Sequence, residues 1–432
     1  MSVDPSAIVF RGVRVFDGRN PALTESSDVV VRGDRIESLG PATERAPAES
    51  EVQVIEGGGR VLMPGLIDAH WHATFAAVTV QVAMSADPGY VHLVAGEEAE
   101  RTLLRGFTTV RDAGGPAFAL KRAVDEGLLV GPRIYPSGAF ITQTSGHGDF
   151  RLRHEVPRDP CGGLSHTEVT GAATIADGVD QVLRAVREQL MLGASQIKVM
   201  GGGGVASPYD PIDVTQYTEA EMRAAVEAAE DWGTYVMVHA YTPRSITRSI
   251  RTGVRCIEHG HLIDDATAEL IAEAEAWLSL QPFLDDDDAI PIPDPATRLK
   301  QLQVTDGTDR AYALARKHGI NVAWGSDTLF DASLAMRQGK QLAKMTRWYA
   351  PAEVLTMATS GNAELLSLSG PRNPYPGRLG VVEPGALADL LLVDGDPIAN
   401  IDLLANPARN LLLIMKGGRI HKDLTRTEPA SE

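Results

Sequence analysis

Apolar and polar positions fall into two textures along the chain. From Ala7 to about Val61, the stretches AIVFRGVRVFDG, DVVVRGDRIESLG and VQVIEGGGRVLMPG alternate and are punctuated by Gly18, Gly33 and the Gly57-Gly58-Gly59 run. That is the pattern of a small antiparallel sheet. The same texture returns from about Gly377 to Lys422, in GRLGVVEPGALADLLLVDGDP and NLLLIMKGGRIHK. Together the two half-sheets predict one small β-sandwich domain, residues 1–62 plus 370–432, assembled from both termini around a central insertion.

Within residues 63–369 the period changes. Val179, Val182, Leu183, Val186 and Leu190 recur at helical spacing and predict a helix over Asp177 to Leu192. Thr218 to Trp232 predicts another, opened by a Thr218…Glu221 capping box and stopped at Gly233. Between such helices lie short apolar runs suited to buried parallel strands: FTTVRDAGG, PRIYPSG, SQIKVMGGGG, TYVMVHAY, VRCIEHGH, AWLSLQPF and INVAWGSDT. With VLMPGLIDAHWHA, Val61 to Ala73, they make eight strands. Strands and helices alternating to that count predict an α/β fold, a (β/α)8 TIM barrel, with its active site at the C-terminal ends of the strands.

Composition narrows the function classes. The 432 residues are 44% apolar and 22% charged, as in an ordinary globular chain with room for two structural units. A formal net charge of −17 argues against nucleic acid and against an anionic membrane surface as partners. Two cysteines, Cys161 and Cys256, imply no disulfide framework and fit a reducing compartment. MSVDPSAIVF has no basic segment followed by an apolar one, and no run approaches the ~20 apolar residues of a membrane span, so a cytoplasmic location is the expectation.

The candidate chemistry sits where polar residues interrupt the predicted strands. DAHWHA places Asp68, His70 and His72 at alternate positions, on one face of a strand. Two imidazoles so placed can share a divalent ion, or can simply solvate a strand end. Asp68 shares that face but points deeper, which suits a supporting carboxylate rather than a ligand. The fourth strand carries Lys198 in QIKVMGG: either a snorkelling side chain or an amine whose charge burial has removed. A deprotonated amine beside two metals could capture carbon dioxide as a carbamate. The fifth and sixth strands end in His239 and His259, each of which could also be a satisfied core histidine. The eighth ends in Asp327 of AWGSD, a carboxylate costly to bury without a cation or hydrogen-bonded partner. Six such residues converging on one barrel mouth argue for a metal centre more strongly than any one of them.

The order HxH, Lys, His, His, Asp, the motif PGLIDAHWHA, and the segments VMVHAY, IEHGH, WGSD, TMATSGNAELLSL and EPGALADLLLVDGDP resemble the metal-dependent amidohydrolase superfamily along almost the whole chain. The likeness is greatest to the branch holding imidazolonepropionase-related prolidases, Xaa-amino-acid dipeptidases and bacterial ochratoxin A-hydrolysing amidohydrolases. It implies a dinuclear zinc hydrolase in which His70, His72 and Asp327 hold the more buried Zn2+ and His239 and His259 the second. Lys198, carboxylated, would bridge the two together with a hydroxide that attacks an amide carbonyl. Asp327 would carry the proton to the leaving nitrogen. The substrate implied is a small amide joined to a C-terminal amino acid: a dipeptide, an N-acyl amino acid or an ochratoxin-type conjugate. A homo-oligomer such as an octamer is also implied. A mononuclear cyclic-amide or imidazolone hydrolase, needing no carbamate, and a non-catalytic binding barrel are the alternatives.

Three further residues are candidates for substrate contact. His147, in TQTSGHGD, resembles a substrate-facing histidine of the family and could equally be a loop residue. Tyr241 shares the face of His239, where a phenol could donate to a developing oxyanion or to a substrate carboxylate. Tyr209 lies in a Gly-rich loop that lacks the Lys-Ser/Thr pair of a phosphate cradle. His166 and His261 read as structural. The run Asp285 to Asp288 reads as a solvated loop, or as a selector of a cationic substrate group.

Overall fold

A computed structural model describes residues 7–41, 52–156, 163–207 and 209–425; Cys161 lies outside them. The terminal segments build one eight-stranded assembly from both ends of the chain. Its pivot is the strand Ala7–Val15, which bends at a register shift between Phe10 and Val13. It pairs with Ser27–Arg32 on both sides of the bend and with Val52–Glu56 through Ala7 to Arg11, and after the bend Arg14 and Val15 pair with Val61 and Leu62. The pairings with Val52–Glu56 and with Val61–Pro64 are parallel, so the sheet is mixed and not the antiparallel one expected. Alternating positions give no information about strand direction, because both pairings present every second side chain to one face.

Three C-terminal strands, Leu390–Val393, Leu411–Lys416 and Arg419–Asp423, complete the layer against Val61–Pro64. Leu390–Val393 has no polar position because it is buried on both faces. Leu390 and Leu392 pack with Phe10, Val31 and Met415 inside the small domain. Leu391 and Val393 pack with Leu66, Phe107 and Trp324 at the edge of the barrel core.

The stretch VLMPGLIDAHWHA therefore serves two bodies. Val61–Pro64 belongs to the small domain and Leu66–Trp71 to the barrel, with Gly65 between them. We propose dividing the chain near Gly65 and again after Ser369.

From Leu66 onward, parallel strands close into a (β/α)8 barrel. Leu66–Trp71, Phe107–Asp112 and Arg133–Tyr135 pair in order, and Ile197–Met200, Val236–Ala240, Cys256–His259, Trp277–Ser279 and Val322–Ala323 follow. The third position is split at Pro136-Ser137-Gly138. Arg133–Tyr135 pairs with the second strand, while Phe140–Thr142 reaches the fourth through Ile141 and Val199 and carries an extra strand, Ala173–Ile175, that the sequence pattern did not reveal. Closure is direct: Ala69 N–H donates to the Trp324 carbonyl (3.1 Å). Asn362 Nδ2 bonds both Ile67 O (2.7 Å) and Trp324 O (2.8 Å), which gives the TSGNA motif a structural role.

Both expected helices are present, as Val179–Leu192 and Glu219–Glu230, the latter opened by the Thr218/Glu221 capping box. Among the described residues, no helix is long and apolar enough to cross a membrane.

Candidate active site

All six candidate metal ligands line one cavity of about 430 Å³ at the C-terminal ends of the barrel strands. Each imidazole has one ring nitrogen engaged by the protein, which leaves the other for the centre. His70 Nδ1 is 2.6 Å from Glu258 Oε2, and His72 Nδ1 is 2.9 Å from the Gly114 carbonyl. His239 Nε2 is 3.1 Å from the Gly203 carbonyl, and His259 Nδ1 is 2.7 Å from Gln281 Oε1. Such contacts set ring orientation and tautomer in metal-binding histidines.

Asp327 sits among these rings. Its Oδ1 lies 3.3 Å from Nε2 of both His70 and His72, and its Oδ2 lies 3.8 Å from His259 Nδ1. His70, His259 and Asp327 each offer a ligand atom within 4.8 Å of the others'. Burial alone would raise the Asp327 carboxyl, but the surrounding His70, His72 and His259 hold it well below the usual carboxylate range. Burial, with neighbouring imidazoles and Lys198 adding to it, pushes His239 well below the usual histidine value. That keeps its ring a neutral donor of a lone pair.

Backbone geometry is spent on these positions. His259 has φ +80° and Asp327 φ +46°, the left-handed region that non-glycine residues seldom occupy and that carries a cost of about 1–3 kcal/mol. The glycine of WGSD is required by close approach: a Cβ on Gly325 would lie 2.4 Å from His70 Cβ. The eighth strand thereby reaches the first closely enough for Asp327 N–H to donate to the His70 carbonyl (2.8 Å).

Lys198 is 2% exposed, lines the cavity and makes no hydrogen bond or ion pair with another described residue. Burial lowers its amine, against the opposing pull of Glu258 and Asp327. This donor set fits a divalent metal: imidazole nitrogens and a carboxylate in a buried cluster, with an unpartnered amine beside it.

Several supporting groups were not legible as such in the sequence. Glu258 joins His70 to Arg111, whose Nη2 lies 2.7 Å from Glu258 Oε1 and whose Nε donates to the Ala69 carbonyl (2.6 Å). Burial works against the Glu258 charge, but Arg111 and His70 hold its carboxyl well below the usual range. Asp112 accepts from the Ala73 and Gly114 amides, and burial pushes it up to about 6. The available signal was an Arg-Asp pair and a Glu inside otherwise apolar strands. Asp68 turns away from the centre and accepts from His70 N, Ser326 N and Gln338 Nε2.

His147 and Tyr241 line the cavity. The His147 ring stacks on His239 at 4.2 Å, and Tyr241 meets His239 edge-on at 5.0 Å. Burial keeps the Tyr241 phenol protonated. Tyr209 does not join them: it is 38% exposed and outside the cavity lining. His261 is buried against Phe283, with Nε2 on the Gln281 carbonyl, and burial pushes it down to about 4. His166 opens the His166–Val169 helix, its Nε2 3.3 Å from the Ala83 carbonyl.

The run Asp285 to Asp288 is not simply solvated. Asp285 pairs with Arg298, Asp286 with Lys344, and buried Asp288 with Arg337, Lys340 and Lys344. These cations already compensate three of the four carboxylates, which leaves the run ill suited to selecting a cationic substrate. Most of the remaining wall is apolar, including Phe75, Phe140, Phe150, Phe283, Ile292 and Phe330.

Residues 61–420 match the amidohydrolase family. Ochratoxinase of Aspergillus niger is 31% identical over 376 residues, covering 84% of this chain and 76% of the relative. A crystal structure of a prolidase complexed with N-methylphosphonate-L-proline is 36% identical and superimposes with a TM-score of 0.88, covering 96% of this chain and 100% of that one. A crystal structure of an amidohydrolase is 37% identical, with a TM-score of 0.86 over 96% of this chain and 99% of its own.

Proposed function

The chain belongs to the amidohydrolase family and is a hydrolase of amide bonds, and from that premise we propose that it is a dinuclear zinc enzyme cleaving an amide joined to a C-terminal amino acid. The observation that carries the reading is the set of four imidazoles, each with one nitrogen engaged by the protein, around a buried carboxylate and a buried lysine without a hydrogen-bond partner among the described residues. In this reading His70, His72 and Asp327 would hold one ion and His239 and His259 the other, with Lys198, carboxylated, as a further ligand. The ions supply Lewis acidity toward a carbonyl and toward water.

The chain's own residues do the rest. Asp327, kept ionised among the imidazoles, accepts the proton of the attacking water and delivers it to the leaving nitrogen, an essential step because an amide anion leaves poorly. Tyr241, kept protonated by burial, donates to the oxygen that gains charge as the carbonyl is attacked. Glu258, Gly114, Gly203 and Gln281 hold the imidazoles in orientation. The apolar wall excludes water and accepts an uncharged side chain.

A dipeptide, an N-acyl amino acid and an ochratoxin-type conjugate all meet these requirements. The names of the two relatives, an ochratoxinase and a prolidase complexed with a proline phosphonate, support that range. The proposal includes a homo-oligomer and a cytoplasmic setting, the first checked by light scattering and the second by fractionation.

The deciding experiment pairs a metal count per chain and an anomalous-scattering map with a screen of dipeptides, N-acyl amino acids and ochratoxin A, read as kcat/KM. Two ions, a carboxylated Lys198 and turnover in the screen are expected. One ion beside an unmodified Lys198 would favour the mononuclear cyclic-amide alternative.

A further inference from the structure

Lys300 lies on the Pro295–His318 helix and does not line the cavity. Its ammonium donates to three carbonyls of one loop: Asp210 (2.7 Å), Ser207 (3.1 Å) and Gly204 (3.3 Å). Three donors meeting three acceptors saturate the group, so a single side chain gathers the backbone at Gly204, Ser207 and Asp210.

That loop grips His147. The buried Asp210 places Oδ2 3.0 Å from His147 Nδ1 and with the same oxygen accepts the Gly204 amide (2.6 Å). Ser207 Oγ lies 3.0 Å from the same Nδ1 and accepts the Gly148 amide (2.6 Å). The ring then stacks on His239, and a Cβ on Gly204 would come within 2.1 Å of His147 Cε1, so the loop backbone itself lies against the imidazole. The Asp210 carboxylate can only accept, so Nδ1 is its hydrogen-bond donor and Nε2 is left as the edge available to the cavity.

We propose that Lys300 is a positioning residue for the amide hydrolysis: by clamping the backbone at Gly204, Ser207 and Asp210 it holds Asp210 and Ser207 at His147 Nδ1 and so fixes the ring that meets the substrate. The kinetic part of the inference rests on the amide-hydrolase reading given above.

Lys300→Met keeps the aliphatic stem and removes the three donors. With metal content per chain unchanged, kcat/KM is expected to fall on the order of 10-fold, mainly through KM, and Lys300→Arg to restore most of it. In a His147→Ala background Lys300→Met should cost nothing further, because both changes remove the same contact. Asp210→Asn should behave as Lys300→Met does. Independently of turnover, 15N-histidine spectra should show the Nδ1–H signal of His147 in the parent and its loss or broadening in Lys300→Met. An undiminished loss in the His147→Ala background, an unchanged kcat/KM, or an unchanged His147 signal would each overturn the proposal. A parent that hydrolyses no amide would overturn the functional reading instead, and the spectra would still decide the role of Lys300.

Discussion

The barrel–sheet junction around Arg133 and the barrel mouth around Asp327 are both buried and charged, yet they are finished differently. At the junction, Arg133 grips Asp389 through two nitrogens (2.8 and 3.1 Å), and Asp389 also accepts the Gly417 amide (2.7 Å). Lys416 donates to the Gly131 carbonyl, and Tyr375 bonds both Asp125 and Ile134. These polar groups are satisfied within the protein. At the mouth, among the described residues, the second ring nitrogen of each of the four histidines meets no group outside the candidate ligands, Lys198 makes no hydrogen bond, and two of the candidate ligands sit at positive φ. Burial of a charge costs free energy in both places. A cluster that closes its valences holds the fold, whereas one that leaves them open is arranged for something it binds.

The contrast breaks most visibly at Asp327. Asp327→Asn should lower kcat/KM by about 10³-fold or more while leaving the melting temperature nearly unchanged, measured on metal-replete protein. A large loss of stability with little loss of rate would place Asp327 with the structural group. Arg133→Met should do the reverse. Leaving Asp389 buried without its partner is expected to cost about 3–5 kcal/mol in urea unfolding, with kcat unaffected.

Glu258 belongs to both kinds, since it pairs with Arg111 on one side and His70 on the other. Glu258→Gln should weaken metal affinity by about 10–100-fold, as read by chelator competition.

The smallest effect is expected at Lys416, whose amine burial pushes from 10.5 down to about 8. Below about pH 8 the folded state must hold a buried charge that the unfolded state hydrates. Between about 8 and 10.5 the unfolded state keeps a proton that the native state has released, so stability rises with pH across that window. Lys416→Met should therefore stabilise by about 1–2 kcal/mol at neutral pH, after loss of the bond to Gly131, and the advantage should vanish by about pH 10.5. Denaturant melts of both proteins at three pH values measure it.

The strand–helix rhythm, the two helices, the Thr218/Glu221 cap and the six polar residues in or at the ends of apolar strands were legible in the sequence because each is local. Periodicity reports which face is buried, and a charged or imidazole group inside an apolar run marks a place where burial needs a reason. The doubly buried strand Leu390–Val393 was readable as a strand, but not as the wall between two cores.

What the tertiary structure decided was partnership. Nothing in the chain order joins Glu258 to both His70 and Arg111, sets His147 between Asp210 and His239, or compensates Asp288 with cations from a helix some fifty residues on. It likewise placed Tyr209 outside the cavity and made the terminal sheet mixed rather than antiparallel. The sequence by itself determined which residues resist burial. Hydrogen bonds reach only about 3 Å, so the identity of the group that satisfies each of them depends on which distant segments the barrel brings to one point.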